Sequence, residues 1–363
     1  METIVKVAYD ASVKTVLTLL EKNLLPDVVI RRLTRLLLAG RLRSGYKPTA
    51  ELQLSDLLRF VNGILDDSFA LSMARQQSLA SLLTLISAYK KELDYTVLSN
   101  LIVISYKVVK IAADANLELM SGIKQFFIGV FQLAAGCCFT RLQNIDLSTA
   151  KETWLGPKTR ESHLDAMLRG EVLTALAAFG HDETLNEAIR RFDAFLADRN
   201  TSLLPPDLRR AAYVAVMQRA NKSDKSGYES LLKVYRETDL SQEKTRILGS
   251  LAGCPDPSIV QDVLNFVLSD EVRNQDAVYG LSGVSWEGRE VAWKWLQEKW
   301  EFIEKTWGSG FLLTRFISAV VSPFASFEKA KEVEEYFATR TKPSMARTLK
   351  QSIEKRYRQF EDD

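Results

Sequence analysis

From Ile64 onward, apolar positions recur at helical spacing almost without a break. Apolar runs of roughly ten to fifteen residues alternate with short polar turns, and no good run of alternating strand pattern interrupts them. Val97 to Ser105 is rich in β-branched residues, yet its neighbours are helical, so it reads as a buried helix. Residues 165–340 read as degenerate helix pairs. Arg169–Phe179 leads to Thr184–Ala197, Leu208–Ala220 to Tyr228–Glu237, and Glu243–Ala252 to Ser258–Leu268. Asp276–Leu281 leads to one long helix after Gly288, and Phe311–Val320 to Phe327–Ala338. The turns recur at roughly 30 to 42 residues, the range of helical solenoids, where stacking supplies the core that no single pair can close. The pattern predicts an all-α protein.

Trp286, Trp293, Trp300 and Trp307 are spaced by seven, and with Leu296 and Ile303 they form a stripe on the predicted long helix. Such a stripe packs as a seam against the neighbouring pair; a cation cage or peptide groove is the alternative.

The N-terminal stretch differs. Asp27 can cap a helix in which Val29, Leu33, Leu36 and Leu37 share a face, ended by Gly40, Gly45 and Pro48. A preceding helix is predicted over Val13, Val16, Leu17, Leu20 and Leu24. Between Asp27 and Glu51 there is no acid, while Arg31, Arg32, Arg35, Arg41, Arg43 and Lys47 are present. Residues 1–61 therefore carry +4 (ten basic, six acidic), and the remainder of the +2 chain carries −2. That shift marks a boundary, with a basic helical arm at 1–61 and a helical domain at 62–363. The basic stripe lacks aromatic residues for base stacking, so no nucleic-acid partner is expected.

Composition narrows the chemistry. Of 363 residues 46% are hydrophobic and 26% charged, which excludes disorder as the main state. Only two histidines occur, His163 and His181, and neither lies in H-E-x-x-H. A zinc hydrolase or a histidine-based triad is thus poorly served, and no metal ligand, cofactor-binding residue or catalytic residue is assigned. Cys137, Cys138 and Cys254 give no disulfide framework. No secretory signal opens the chain, and the most apolar stretch, Phe126–Phe139, is shorter than the ~20 residues of a membrane span. A cytoplasmic protein without a transmembrane segment is the simplest expectation.

Three positions attract notice. Arg315 sits in an otherwise uncharged stretch, Gly310–Val321, where a buried charge needs a structural or a ligand carboxylate. Asp66 and Asp67 are adjacent and read as a helix start. His181 follows Gly180 at a helix end, where a cation suits the carbonyls. A G-x-G at Gly308–Gly310 has no preceding strand and no third glycine, and no P-loop or G-x-S-x-G elbow occurs.

The runs Gly63-Ile64-Leu65-Asp66-Asp67-Ser68-Phe69-Ala70-Leu71, Trp307 through Ser318, and Thr339 through Leu349 resemble the C-terminal helical domain of gluzincin aminopeptidases of the plant puromycin-sensitive type. The resemblance covers residues 63 to about 354. It implies a right-handed α-solenoid of HEAT-like helix pairs, which in that family closes over a zinc-bearing catalytic domain and walls the peptide cavity. The family's zinc motif and its G-A-M-E-N motif belong to that catalytic domain, and this chain has neither. No catalytic residue carries over, zinc remains a cofactor of the full-length family, and Arg315 is the peptide-contact candidate. Residues 137–158 depart from the family and read as an insertion, and the end after Ile353 departs as well. Arg31 through Thr49 is similar to the helical arm of coclaurine N-methyltransferase-like proteins, whose S-adenosylmethionine domain is missing, so the chain reads as a fusion of two truncated pieces. The reading that follows is a non-catalytic binding domain whose partner is a peptide or protein, including an intact aminopeptidase or its catalytic domain. The alternatives are a zinc metalloaminopeptidase named by homology, a methyltransferase-like fragment, or a general solenoid scaffold.

Overall fold

The computed structural model describes residues 54–92, 94–140, 163–308, 311–321, 323–324, 326–340, 345–346 and 349–350. The helices predicted within residues 1–50, and most of the departure at 137–158, lie outside them. The described residues form fifteen α-helices and no strand. The chain divides into two compact units: residues 1–106 with 126–172, and residues 107–125 with 173–363.

In the first unit, α1 (Leu54–Met73) is followed by α2 (Leu79–Ser87) and a 3-10 turn at Ala88–Lys91. The hydroxyl of Ser78 caps α2 by accepting from the Ser81 amide at 3.1 Å. Leu82, Leu85, Ile86 and Tyr89 follow at i, i+3, i+4 and i+7, and all are buried. The buried Tyr89 hydroxyl donates to the Val61 carbonyl at 3.0 Å, tying the end of α2 to α1. Asp66 and Asp67 do not start a helix. They lie in the middle of α1, where Asn100 Nδ2 donates to Asp66 at 3.0 Å. The turn-like look of Asn62-Gly63 was misleading because buried Val61, Ile64 and Leu65 hold the helix through it.

The β-branched stretch falls in α3 (Tyr95–Ala115), which is helical as expected. Leu98, Leu101, Ile102, Val108, Val109 and Ala112 are buried at helical spacing, so packing outweighs a low intrinsic propensity. By length and composition this helix, rather than Phe126–Phe139, is long and apolar enough to cross a membrane. Just over half of its apolar window is buried in the protein, as in a core helix. It is followed by α4 (Leu117–Thr140), which holds Cys137 and Cys138, and by α5 (His163–Phe179).

In the second unit the predicted pairs are present: α6 (Asp182–Ala197), α7 (Pro206–Arg219) with α8 (Ser226–Glu237), and α9 (Ser241–Leu251) with α10 (Pro257–Val267). Then come α11 (Ala277–Ser282), α12 (Arg289–Glu298), α13 (Trp300–Trp307), α14 (Phe311–Val321) and α15 (Phe327–Phe337). The first helices of successive pairs, α7, α9, α11 and α14, pack side by side in that order, and α12 packs on α10. Punctuation matches chemistry: Gly180 has φ +87, Pro206 and Pro257 sit at first helical turns, and Asp256 caps α10 through the Ser258 amide at 2.9 Å.

Hydrogen bonds link neighbouring pairs at one-repeat separations. Cys254 Sγ donates to the Ala220 carbonyl at 3.0 Å, Ser285 Oγ to the Cys254 carbonyl at 2.7 Å, and Gln218 Nε2 to the Gly253 carbonyl at 2.8 Å. On other edges Arg199 meets Glu237 at 2.6 Å, Arg236 meets Glu271 at 2.6 Å, and Lys329 meets Glu290 at 2.9 Å. Where α9 and α11 cross, two glycines meet. A Cβ on Gly283 would stand 2.3 Å from the Gly249 carbonyl oxygen, although its backbone (φ −88, ψ −4) suits any residue.

One prediction needs correction. The four tryptophans do not share a helix. Trp286 precedes α12, Trp293 lies in it, and a break at Lys299 (φ −97, ψ 7) puts Trp300 and Trp307 on α13. A seven-residue spacing survives such a break because both segments face the same partner. Trp293 and Trp300 pack edge-on against Tyr336 and Phe337 of α15, with centroids 5.1 to 6.3 Å apart across that cluster. Trp293 Nε1 also donates to the Glu332 carboxylate. This is a packed seam.

Candidate functional site

Arg315 occupies the middle of α14. Leu313, Phe316, Ile317, Val320 and Val321 bury the opposite side of that helix, and the ring of Phe316 lies 4.5 Å from that of Trp307. Arg315 itself is exposed, contrary to the expectation of a buried charge. An uncharged run does not require all faces of a helix to be buried: Thr314 and Ser318 already supply a polar edge beside it. The guanidinium is thus held on a solvent-facing surface by an apolar anchor directly behind it.

His181 also differs from its reading. It caps the start of α6, ahead of Asp182 and Glu183, rather than acting as a cation at a helix end. Its Nδ1 pairs with Thr184 Oγ1 at 2.8 Å. Burial holds its pKa below the ordinary histidine value, against the opposing pull of Glu183 and Asp182. Native protein therefore binds fewer protons here than unfolded chain, and stability from this site is lost as pH falls through the unfolded histidine value of about 6.5. Replacing His181 by Gln should remove part of the stability lost between pH 7.5 and 5.5. Urea melts at both values test this, and an equal loss in wild type and variant would refute it.

One charged cluster was not foreseen. Glu243, at the first turn of α9, is 4% exposed. Tyr213 Oη of α7 donates to it at 2.5 Å, Arg209 reaches it at 3.3 Å, and Arg246 pairs with it from the next turn. The Arg209 guanidinium also stands over Phe195 at 4.8 Å. Burial, then the Glu243 hydrogen bond, raise the Tyr213 pKa far above the ordinary tyrosine range. Every oxygen of Glu243 is engaged, so the cluster joins two helix pairs and offers no free base. In sequence, Glu243 looks like any acidic residue in a first helical turn, and only the stacking of α7 on α9 shows otherwise.

The side chains do not suit zinc. His163 is exposed at the start of α5 and His181 is engaged with Thr184. Cys254 is buried and its thiol is pushed up to about 11, chiefly by desolvation. Among the described residues no group of three or more His, Cys, Asp or Glu could hold a metal ion. No step through zinc is derived for this chain.

Comparison with known proteins matches the description of these helices. A family model for the ERAP1-like C-terminal domain matches residues 48–356. Aminopeptidase M1 of Arabidopsis thaliana is 81% identical over 315 residues, which is 86% of this chain and 34% of that protein. Aminopeptidase M1-B of Oryza sativa subsp. japonica is 52% identical over 293 residues, 81% of this chain and 32% of the relative. The puromycin-sensitive aminopeptidase of Caenorhabditis elegans is 22% identical over 303 residues, 80% of this chain and 30% of the relative. The chain spans about a third of the length of these curated relatives. The likeness of residues 1–61 to a methyltransferase arm gains no support, and the family match begins at residue 48, inside that stretch. Basic amphipathic helices recur in unrelated proteins, which is why this pattern was a poor guide.

Proposed function

The chain belongs to the ERAP1-like C-terminal domain family of the M1 aminopeptidases, and from that membership we propose that it acts as a non-catalytic helical domain that binds peptide or protein. One observation carries the reading. The family match runs through the stacked helix pairs, while the sequence has two histidines and no H-E-x-x-H motif. The natural partner is the catalytic portion of an intact M1 aminopeptidase, in the cytoplasm, with zinc supplied there and not here.

Purified protein given zinc and an aminoacyl fluorogenic substrate should show no turnover, and chelator-sensitive hydrolysis would overturn the non-catalytic reading. The peptide contact is tested at Arg315. Because this side chain is exposed and anchored from behind by Phe316, Arg315→Ala should leave melting unchanged while weakening binding of an unblocked peptide by about tenfold, the worth of a charge-assisted hydrogen bond. Fluorescence anisotropy with a labelled peptide reads this, and equal affinity of both proteins would leave Arg315 without the role.

A further inference from the structure

Residues 107–125, the end of α3 and the start of α4, belong to the second compact unit. From Ala112 to Gln125 only Ala112, Ala113, Met120 and Ile123 are buried, and Ala115 through Leu119 are all exposed. Gly122 lies in the helix with nothing near its missing side chain, where glycine weakens helical structure. A segment with so little apolar burial sits at the low end of local stability.

Charged groups hold it instead, and their signs are crossed. Asp114 of the segment meets Arg289 at 2.8 Å, and Lys124 of the segment meets Glu287 at 3.1 Å. Arg289 does more than pair. It donates to the Ala113 carbonyl at 3.3 Å, near the end of α3 where helix carbonyls lack partners, and to the Trp286 carbonyl at 2.6 Å. Its guanidinium stands 5.9 Å from the Phe324 ring centroid. Lys124 stands 5.3 Å over the ring of Trp286, which stacks on Phe179 at 6.4 Å. Side-chain exposures of 16% and 11% for Arg289 and Asp114 place that pair largely out of water, where charge-assisted bonds are strong. The sequence between the paired residues is 163 residues or longer, so these contacts close a very wide loop.

We propose that Lys107–Gln125 is a strap that opens and closes on the second unit independently of the stacked helix pairs, bolted by Arg289 and steered by the crossed Lys124–Glu287 pair. Opening removes Lys124 from the face of Trp286 and frees the end of α3. The strap is a conformational device whose closure depends on two ion pairs rather than on a buried apolar face.

Hydrogen exchange read by mass spectrometry on the full chain tests it. In Arg289→Met, amides of residues 107–125 should exchange about tenfold faster, while those of α9 and α10 keep wild-type rates. Lys124→Glu should loosen the same residues through repulsion from Glu287, and Lys124→Glu with Glu287→Lys should recover most of the protection. Unchanged exchange of residues 107–125 in Arg289→Met would overturn the strap. A uniform rise over the whole second unit would overturn it too, because the segment would then open only with everything else. Should Arg289→Met fail to fold, the Lys124→Glu variant and its charge-swapped partner decide on the same terms, recovery supporting the strap and its absence refuting it.

Discussion

Gly283→Ala should destabilise the protein by about 3 kcal/mol, the upper part of the usual range for overpacking. The added methyl would lie 2.3 Å from the Gly249 carbonyl oxygen and 2.9 Å from its carbon. Both are backbone atoms, so no side chain can rotate away, and α9 and α11 must separate. The backbone angles of Gly283 suit alanine, hence the cost is steric and not conformational. In a protein of this size the melting temperature should fall by roughly 5 to 10 °C. Gly63→Ala is the contrast. It lies inside α1 with nothing within 4 Å of the new methyl, so it should gain about 0.5 to 1 kcal/mol from helix propensity. Thermal melts of both variants decide the matter. A Gly283→Ala protein that melts with the wild type would show that α9 and α11 are not in backbone contact.

Glu243→Ala should cost about 3 to 5 kcal/mol, the usual penalty for breaking a buried ion pair from one side. It strands the Tyr213 hydroxyl and leaves Arg209 and Arg246 facing each other without their carboxylate. Tyr213→Phe should cost less, about 1.5 to 3 kcal/mol, because only one hydrogen bond to a charged acceptor goes. The two should be strongly non-additive, since they share the contact. Urea melts of the two single variants and the double variant measure this coupling. Additive losses would mean that Tyr213 and Glu243 act separately. The pair of measurements also separates a register-setting role from a stabilising one: Glu243→Leu with both arginines changed to Met should restore much of the stability if the cluster mainly fixes how the pairs stack.

Much of the helical framework could be read in the chain because its punctuation is local. Gly180, Pro206, Asp256 and Pro257 terminate or start helices through their own backbone chemistry, and a reader of the sequence meets them in order. The pairs from α5 to α15 were placed to within a few residues on that basis. What escaped was whatever depends on two elements at once. Asp66 and Asp67 looked like a helix start until the burial of Val61, Ile64 and Leu65 carried α1 through Gly63. The break at Lys299 leaves the tryptophan spacing intact, so periodicity could not show it. Arg315 was misjudged because a run without charge says nothing about which face its neighbours bury. Glu243 was invisible for the same reason: its partners come from α7, thirty and more residues earlier. The family membership, by contrast, was legible from short runs such as Gly63–Leu71, since those combine packing constraints at many positions at once.

The repeat-to-repeat hydrogen bonds also bear on how the chain reaches this structure. Those linking successive pairs join residues 30 to 39 apart, about a tenth of the chain length, a separation typical of fast-folding helical topologies. Each pair can therefore form on the edge of the one before it, with little loop entropy to overcome at any step. The contacts of Lys124 and Arg289 span 163 and 176 residues. They are expected to form last, after the array between them is complete, and on the ribosome they must wait until Arg289 has emerged.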